Sequence, residues 1–146
     1  MNARIDFYTA SREALNAMMA LEKTSAGLGI DPRLLELVKL RASQVNGCAF
    51  CLDMHVADAR KGGEDERRLA TLSAWRETPF FTERERAALA WTEALTNLAQ
   101  THAPDADYER LAAHFSPKEM ADLTLAIVAI NGWNRFAVGF RKMPAA

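Results

Sequence analysis

The stretch ADLTLAIVAINGWNRFAVGF, residues 121–140, sets the tightest limit on the fold. Between Leu123 and Ile130 it has almost no polar face. A helix that is apolar all round has to lie at the centre of a fold or in a subunit interface. The rest of the chain must be built around it, and the pattern says it is built from helices. Val, Ile and Thr never form an alternating strand, while Ala, Leu, Glu, Arg and Met dominate. Helices are predicted over Ser11–Lys23, Pro32–Val45, Cys48–Lys61, Asp65–Trp75, Glu83–Leu98, Ala106–His114 and Pro117–Phe140, with ends good to about 2–4 residues. An interruption is expected at Asn131-Gly132.

Punctuation supports this reading. Asp31-Pro32 offers an N-cap followed by proline at the first helical position. Thr82 with Glu85, and Ser116 with Glu119, have the spacing of capping boxes. Gly62-Gly63 is a helix stop. Arg76–Phe81 reads as a connection whose aromatics, Phe80 and Phe81, fold back on the core. If those rings stay exposed, they join the apolar last helix in leaving more apolar surface than one small domain can hide, so a homo-oligomer is expected.

The 146 residues suit one all-α domain over 1–146. A net charge of -1 gives no electrostatic case for nucleic acid or an anionic membrane. The apolar run LTLAIVAI is too short to cross a bilayer. The first 23 residues carry charges at Arg4, Asp6, Arg12 and Glu13 and lack a signal peptide's apolar core. A cytoplasmic location is expected, where thiols are kept reduced.

That location sharpens the meaning of NGCAFCLDMH, residues 46–55, which holds the chain's two cysteines. Asn46-Gly47 breaks one helix, and Cys48 falls in the first turn of the next. A helix N-terminus favours a thiolate over a thiol. Cys51 follows at i+3, so the two sulfurs can share a face and close a short disulfide. His55 is at i+4 from Cys51, within reach of its sulfur, and can exchange a proton near neutral pH. A carboxylate beside that histidine would fix its tautomer. Glu36 is a candidate, although helical pattern alone makes it an ordinary surface residue. Redox chemistry leads at this point. Zinc binding through Cys48, Cys51, His55 and Glu36 remains open, as does inert packing of two small residues.

The spacing Glu36, eleven residues, Cys48, two residues, Cys51, three residues, His55 resembles the core motif of the AhpD-like alkylhydroperoxidase branch of the carboxymuconolactone decarboxylase family. The similarity extends through ELVKLRASQVNGCAFCLDMHVADARKGG, ERAALAWTEALT and DLTLAIVAINGWNRF. It implies an AhpD-like helical fold with the CxxC at a helix N-terminus, assembled as a homo-oligomer, with a trimer or hexamer favoured. It also implies thiol-dependent reduction of peroxides without metal or cofactor, recycled by an external dithiol of lipoyl or thioredoxin type. By this resemblance Cys51 is the thiol oxidised to sulfenic acid. Cys48 is the proton donor and disulfide partner, and Glu36 with His55 is the proton relay. One departure is Phe50, where the best-known members carry a histidine before the second motif cysteine.

Magnitudes agree with Cys51 as the attacking thiol. A helix-end charge, which favours Cys48, is worth about 0.3–1 kcal/mol and up to roughly 2 when partly buried. A placed general base, which favours Cys51, is worth about 10²–10⁴ in rate, or roughly 3–5 kcal/mol. The alternatives are a decarboxylase of the carboxymuconolactone type, which needs no thiol pair, and a non-enzymatic adaptor passing electrons between dithiols.

Other chemistry-bearing residues have simpler readings. His102 and His114 read as surface residues. Trp75, Trp91 and Trp133 read as core or interface anchors. Met18, Met19, Met54 and Met120 read as gap-filling core. Asn131, Asn134 and Arg135 read first as helix-to-helix hydrogen-bonding groups, with a place in the pocket or interface as the second reading.

Overall fold

A computed structural model describes residues 1–146 and is all-helical. The helices are α1 (Phe7–Ala10), α2 (Arg12–Ala26), α3 (Pro32–Asn46), α4 (Ala49–Lys61), α5 (Glu66–Thr71), α6 (Glu83–Thr96), α7 (Leu98–Thr101), α8 (Asp105–Ala112) and α9 (Pro117–Phe140). A 3-10 turn over Leu72–Glu77 follows α5.

Local chemistry sets the helix ends where the sequence signals are strong. The Asp31 carboxylate accepts from the Arg33 N–H at 2.9 Å, with Pro32 opening α3. Both capping boxes form, Thr82 with Glu85 on α6 and Ser116 with Glu119 on α9. Each satisfies two backbone donors that a helix start leaves without partners.

α3 is the central strut, flanked by α4, α6 and α9, while α2 lies on α9 and α8 on α6. One core cluster joins Leu34 and Val38 of α3 to Ala87 of α6, Leu111 of α8 and Leu123 and Ile127 of α9. A second joins Leu37 and Leu40 of α3 to Ala59 of α4, Leu72, Trp75, Phe81 and Leu89. Each fully buried Leu or Ile in these clusters contributes about 1.5–3 kcal/mol of transfer free energy.

Several expectations are corrected. The predicted helix Asp65–Trp75 divides at Leu72, because Ala74 leaves helical geometry (φ -115°, ψ 29°). That bend carries Trp75 inward, where it is 1% exposed and donates its indole N–H to Glu93 Oε1 at 2.9 Å. No break occurs at Asn131-Gly132, and α9 runs unbroken for 24 residues. Gly132 instead allows close approach of α2: a Cβ there would lie 2.8 Å from Met18 Cε. At 24 residues, α9 is also long and apolar enough to span a bilayer by length and composition, contrary to the shorter run read from the sequence. Here it forms part of the core, against α2, α3, α4, α6 and α8. Phe81 is buried and Phe80 packs beside it half-buried, so these rings fold back on the core and add little exposed apolar surface.

Candidate functional site

The thiol pair sits where α3 ends and α4 begins. Gly47 takes the left-handed conformation (φ 66°) that turns the chain, and its N–H bonds back to Ser43 and Gln44 carbonyls. Glycine adopts that region without a Cβ penalty. Cys48 is then the N-cap of α4 rather than its first-turn residue, in extended geometry, and its Sγ accepts from the Cys51 N–H at 3.3 Å. The two cysteines form a disulfide with Cα atoms 5.4 Å apart, inside the usual range. Both are buried against Ala137 of α9, with Phe50 packed alongside.

α9 also holds the turn in place. Asn46 donates to Asn131 Oδ1 at 3.0 Å and to Asn134 Oδ1 at 2.8 Å. Asn134, 1% exposed, in turn donates to Ser43 Oγ at 3.0 Å. The asparagines of α9 are thus helix-to-helix clamps, and the residue they clamp lies two positions before Cys48. Arg135 is exposed and bonds only within its own helix.

One turn beyond Cys51, His55 is buried at 6% exposure. Its Nδ1 lies 3.0 Å from Glu36 Oε2. The structure therefore brings Glu36, Cys48, Cys51 and His55 together across α3 and α4. Glu36 turns inward instead of facing solvent, a placement that the helical pattern does not reveal. Burial pushes the Glu36 carboxyl up, but the His55 hydrogen bond and the Lys39 charge outweigh it and hold it below its ordinary value.

Two charged partners escaped the reading of the sequence. Lys39 Nζ lies 3.3 Å from Glu36 Oε1 and 3.1 Å from Glu22 Oε1, so α2 contributes to the site. Burial lowers the Lys39 ammonium, but the Glu36 and Glu22 charges prevail and raise it above its ordinary value. The i+3 spacing of Glu36 and Lys39 was a usable signal. Nothing local pointed to Glu22.

A cleft of about 260 Å³ opens over Cys51 and His55, and Cys48 does not line it. Phe7, Met19, Phe50, Met54 and Trp133 supply apolar wall, and Lys39 a charged edge. Met19 and Met54 are 54% and 42% exposed, so they border this cleft rather than fill the core. Phe50 lines the cleft and has Lys142 Nζ 4.9 Å from the centre of its ring. Trp133 is half-buried at the cleft, Trp91 half-buried at the core edge, and His102 and His114 are exposed.

Glu36, His55 and Asp58 bring their ligand atoms within 4.8 Å of one another, and this trio is where a cation would have to be held. The Lys39 ammonium already engages the other oxygen of Glu36, and it would repel such an ion. Chemically the arrangement is a dithiol/disulfide beside a histidine whose second ring nitrogen is oriented by a carboxylate.

The model of the carboxymuconolactone decarboxylase family matches residues 12–94, which contain all four motif residues. The uncharacterised protein YdfG of Bacillus subtilis (strain 168) is 40% identical over 146 residues, covering 100% of this chain and 99% of its own. A crystal structure from Agrobacterium tumefaciens, of unknown function but linked to the antioxidant defence protein AhpD, is 50% identical. It superposes with a TM-score of 0.96 over 99% of this chain and 100% of that one. The debrominase Bmp8 shares the fold at 20% identity, with a TM-score of 0.82 over 92% of this chain and 73% of its own. The chain belongs to the carboxymuconolactone decarboxylase family, in its AhpD-like branch.

Proposed function

We propose that the protein is a thiol-dependent peroxidase acting in antioxidant defence, with Cys51 as the attacking thiol. The observation that carries this reading is that Cys51 and His55 line one cleft while Glu36 holds Nδ1 of the imidazole. Family membership and the AhpD-like structural relative support an oxidoreductase role.

In the reduced protein, His55 Nε2 takes the Cys51 proton. The thiolate attacks the terminal peroxide oxygen, an S–O bond forms and the O–O bond breaks. The leaving alkoxide collects the proton from His55 and departs as an alcohol. Such a placed acid–base group contributes about 10²–10⁴ in rate. Cys48 then attacks the Cys51 sulfenic acid. An S–S bond forms, the S–O bond breaks, and the Cys48 proton leaves with the hydroxyl as water. An external dithiol of lipoyl or thioredoxin type reduces the disulfide by exchange. One peroxide and one dithiol become an alcohol, a water and a disulfide.

The same reading takes the chain as one domain working in the reducing cytoplasm and assembling as a homo-oligomer, trimer or hexamer. Val128 and Val138, 52% and 47% exposed on α9, support assembly. A monomer mass by light scattering would oppose it. The functional test is peroxide consumption with dihydrolipoamide as reductant. Turnover that disappears in Cys51→Ser supports the peroxidase. Thiol exchange without peroxide consumption would leave only a dithiol adaptor.

A further inference from the structure

We infer that Lys39, held between Glu22 and Glu36, is a positioning residue that keeps His55 a neutral base facing Cys51. The inference rests on the proton-relay reading and adds to it the groups that tune the relay. Lys39 is 8% exposed and lines the same cleft as Cys51 and His55. Its ammonium engages Glu36 Oε1 at 3.3 Å, while His55 Nδ1 engages Oε2 of the same carboxylate at 3.0 Å. With both oxygens taken, Glu36 cannot rotate away from the imidazole. With Nδ1–H donated to Glu36, the acceptor nitrogen of a neutral imidazole is Nε2, which leaves it free to take a proton in the cleft that His55 shares with Cys51.

Charge gives Lys39 a second task. Glu22 and Glu36 together carry two negative charges, and Lys39 cancels one of them. Without that cation, the imidazole would face an uncompensated pair of carboxylates. The imidazolium would be favoured over the neutral base. The other charged or titratable groups facing this cluster are Tyr8 of α1 and Asp58 of α4, the latter 3.9 Å from His55 Nδ1. Arg33 and Glu64 border the polar cleft on the far side of Glu36, where they lie 3.7 Å apart. Lys39 is the cation in direct contact with the Glu36 carboxylate.

The test is an NMR titration of the oxidised protein, in which the cysteines do not titrate and His102 and His114 serve as internal references. Lys39→Met should raise the His55 midpoint by about one pH unit, as a unit charge several ångströms away in a partly buried site would. Lys39→Arg should stay near wild type. Glu22→Gln removes a negative charge and should move the midpoint the opposite way, downward. Loss of packing alone does not produce opposite signs from the two sides of one ion pair. In the reduced protein, the pH profile of Cys51 alkylation should shift with the His55 midpoint. An unmoved midpoint in Lys39→Met, a shift of the same sign in Glu22→Gln, or a rise in Lys39→Arg would overturn the inference. Should Lys39→Met fail to fold, the other two variants still decide. Peroxide turnover measured alongside separates the two claims, since the titration pattern without turnover retains the clamp and removes the peroxidase.

Discussion

Replacing Glu36 with glutamine keeps the shape of the side chain and an oxygen for His55 Nδ1, and removes the charge. The bond at stake is 3.0 Å long, and the Glu36 side chain is 20% exposed. A hydrogen bond to a charged group is worth about 1.5–3 kcal/mol and a neutral one about 0.5–1.5, so the change costs the imidazolium roughly 1–1.5 kcal/mol. At about 1.36 kcal/mol per decade, that is a fall of about tenfold in the rate of the Cys51 thiol at neutral pH. Partial solvent exposure places the effect at the lower end of that range. The assay is the pseudo-first-order loss of Cys51 thiol with iodoacetamide and with peroxide, from about pH 6 to 9. Circular dichroism should show an unchanged fold. A Glu36→Gln profile that overlays wild type across this range would refute a carboxylate–imidazole relay.

The same site shows how far the sequence could be read. Cys51 and His55 fall on one helix at i+4 and Cys48 caps its start, so local helical geometry predicted their proximity. Glu36 sits on another helix, and its inward turn depends on how α3 meets α4. Intrahelical periodicity does not encode that packing, and Glu22 on α2 is further still from any local signal. The starts of α3, α6 and α9 were legible because N-capping is local chemistry written in three or four residues. The division at Leu72 was not, because it depends on Trp75 reaching Glu93 on a different helix. Met19 and Met54 look like core residues by composition, and only the shape of the cleft places them at its border. Asn131-Gly132 looks like a break until Met18 is seen packed against the glycine.

Three further outcomes follow from the packing and the charges. Leu37→Ala should cost about 2–5 kcal/mol in urea unfolding, since Leu37 is fully buried at 0% exposure; a loss under about 1 kcal/mol would contradict its core placement. Gly132→Ala should be close to neutral, because the contact is the movable end of Met18 and alanine gains about 1 kcal/mol of helix propensity, whereas Gly132→Leu should destabilise by about 1–3 kcal/mol; equal melting temperatures for the two variants would refute the close approach. Glu36, Glu85 and Glu93 are each pushed up by burial but held below the ordinary 4.5 by their hydrogen bonds, from His55, Arg68 and Trp75 respectively. Their ionised forms therefore stabilise the fold fully above 4.5, and that share is lost as pH falls through the depressed native values. Urea midpoints should drop as pH falls from about 4.5 through the depressed native values, and Glu93→Gln should flatten the drop; a flat wild-type profile would contradict these pairings.

The most direct measurement of the central claim follows the two sulfurs through one turnover. Reduced protein receives one equivalent of peroxide and its thiols are mapped by mass spectrometry, with dimedone present to trap sulfenic acid. Wild type should lose both thiols to the Cys48–Cys51 disulfide. Cys48→Ser should carry the label on Cys51, and Cys51→Ser should carry none. Label on Cys48 in the Cys51→Ser variant, with Cys51 unlabelled in its counterpart, would reverse the roles and contradict the account of His55 as the base for Cys51.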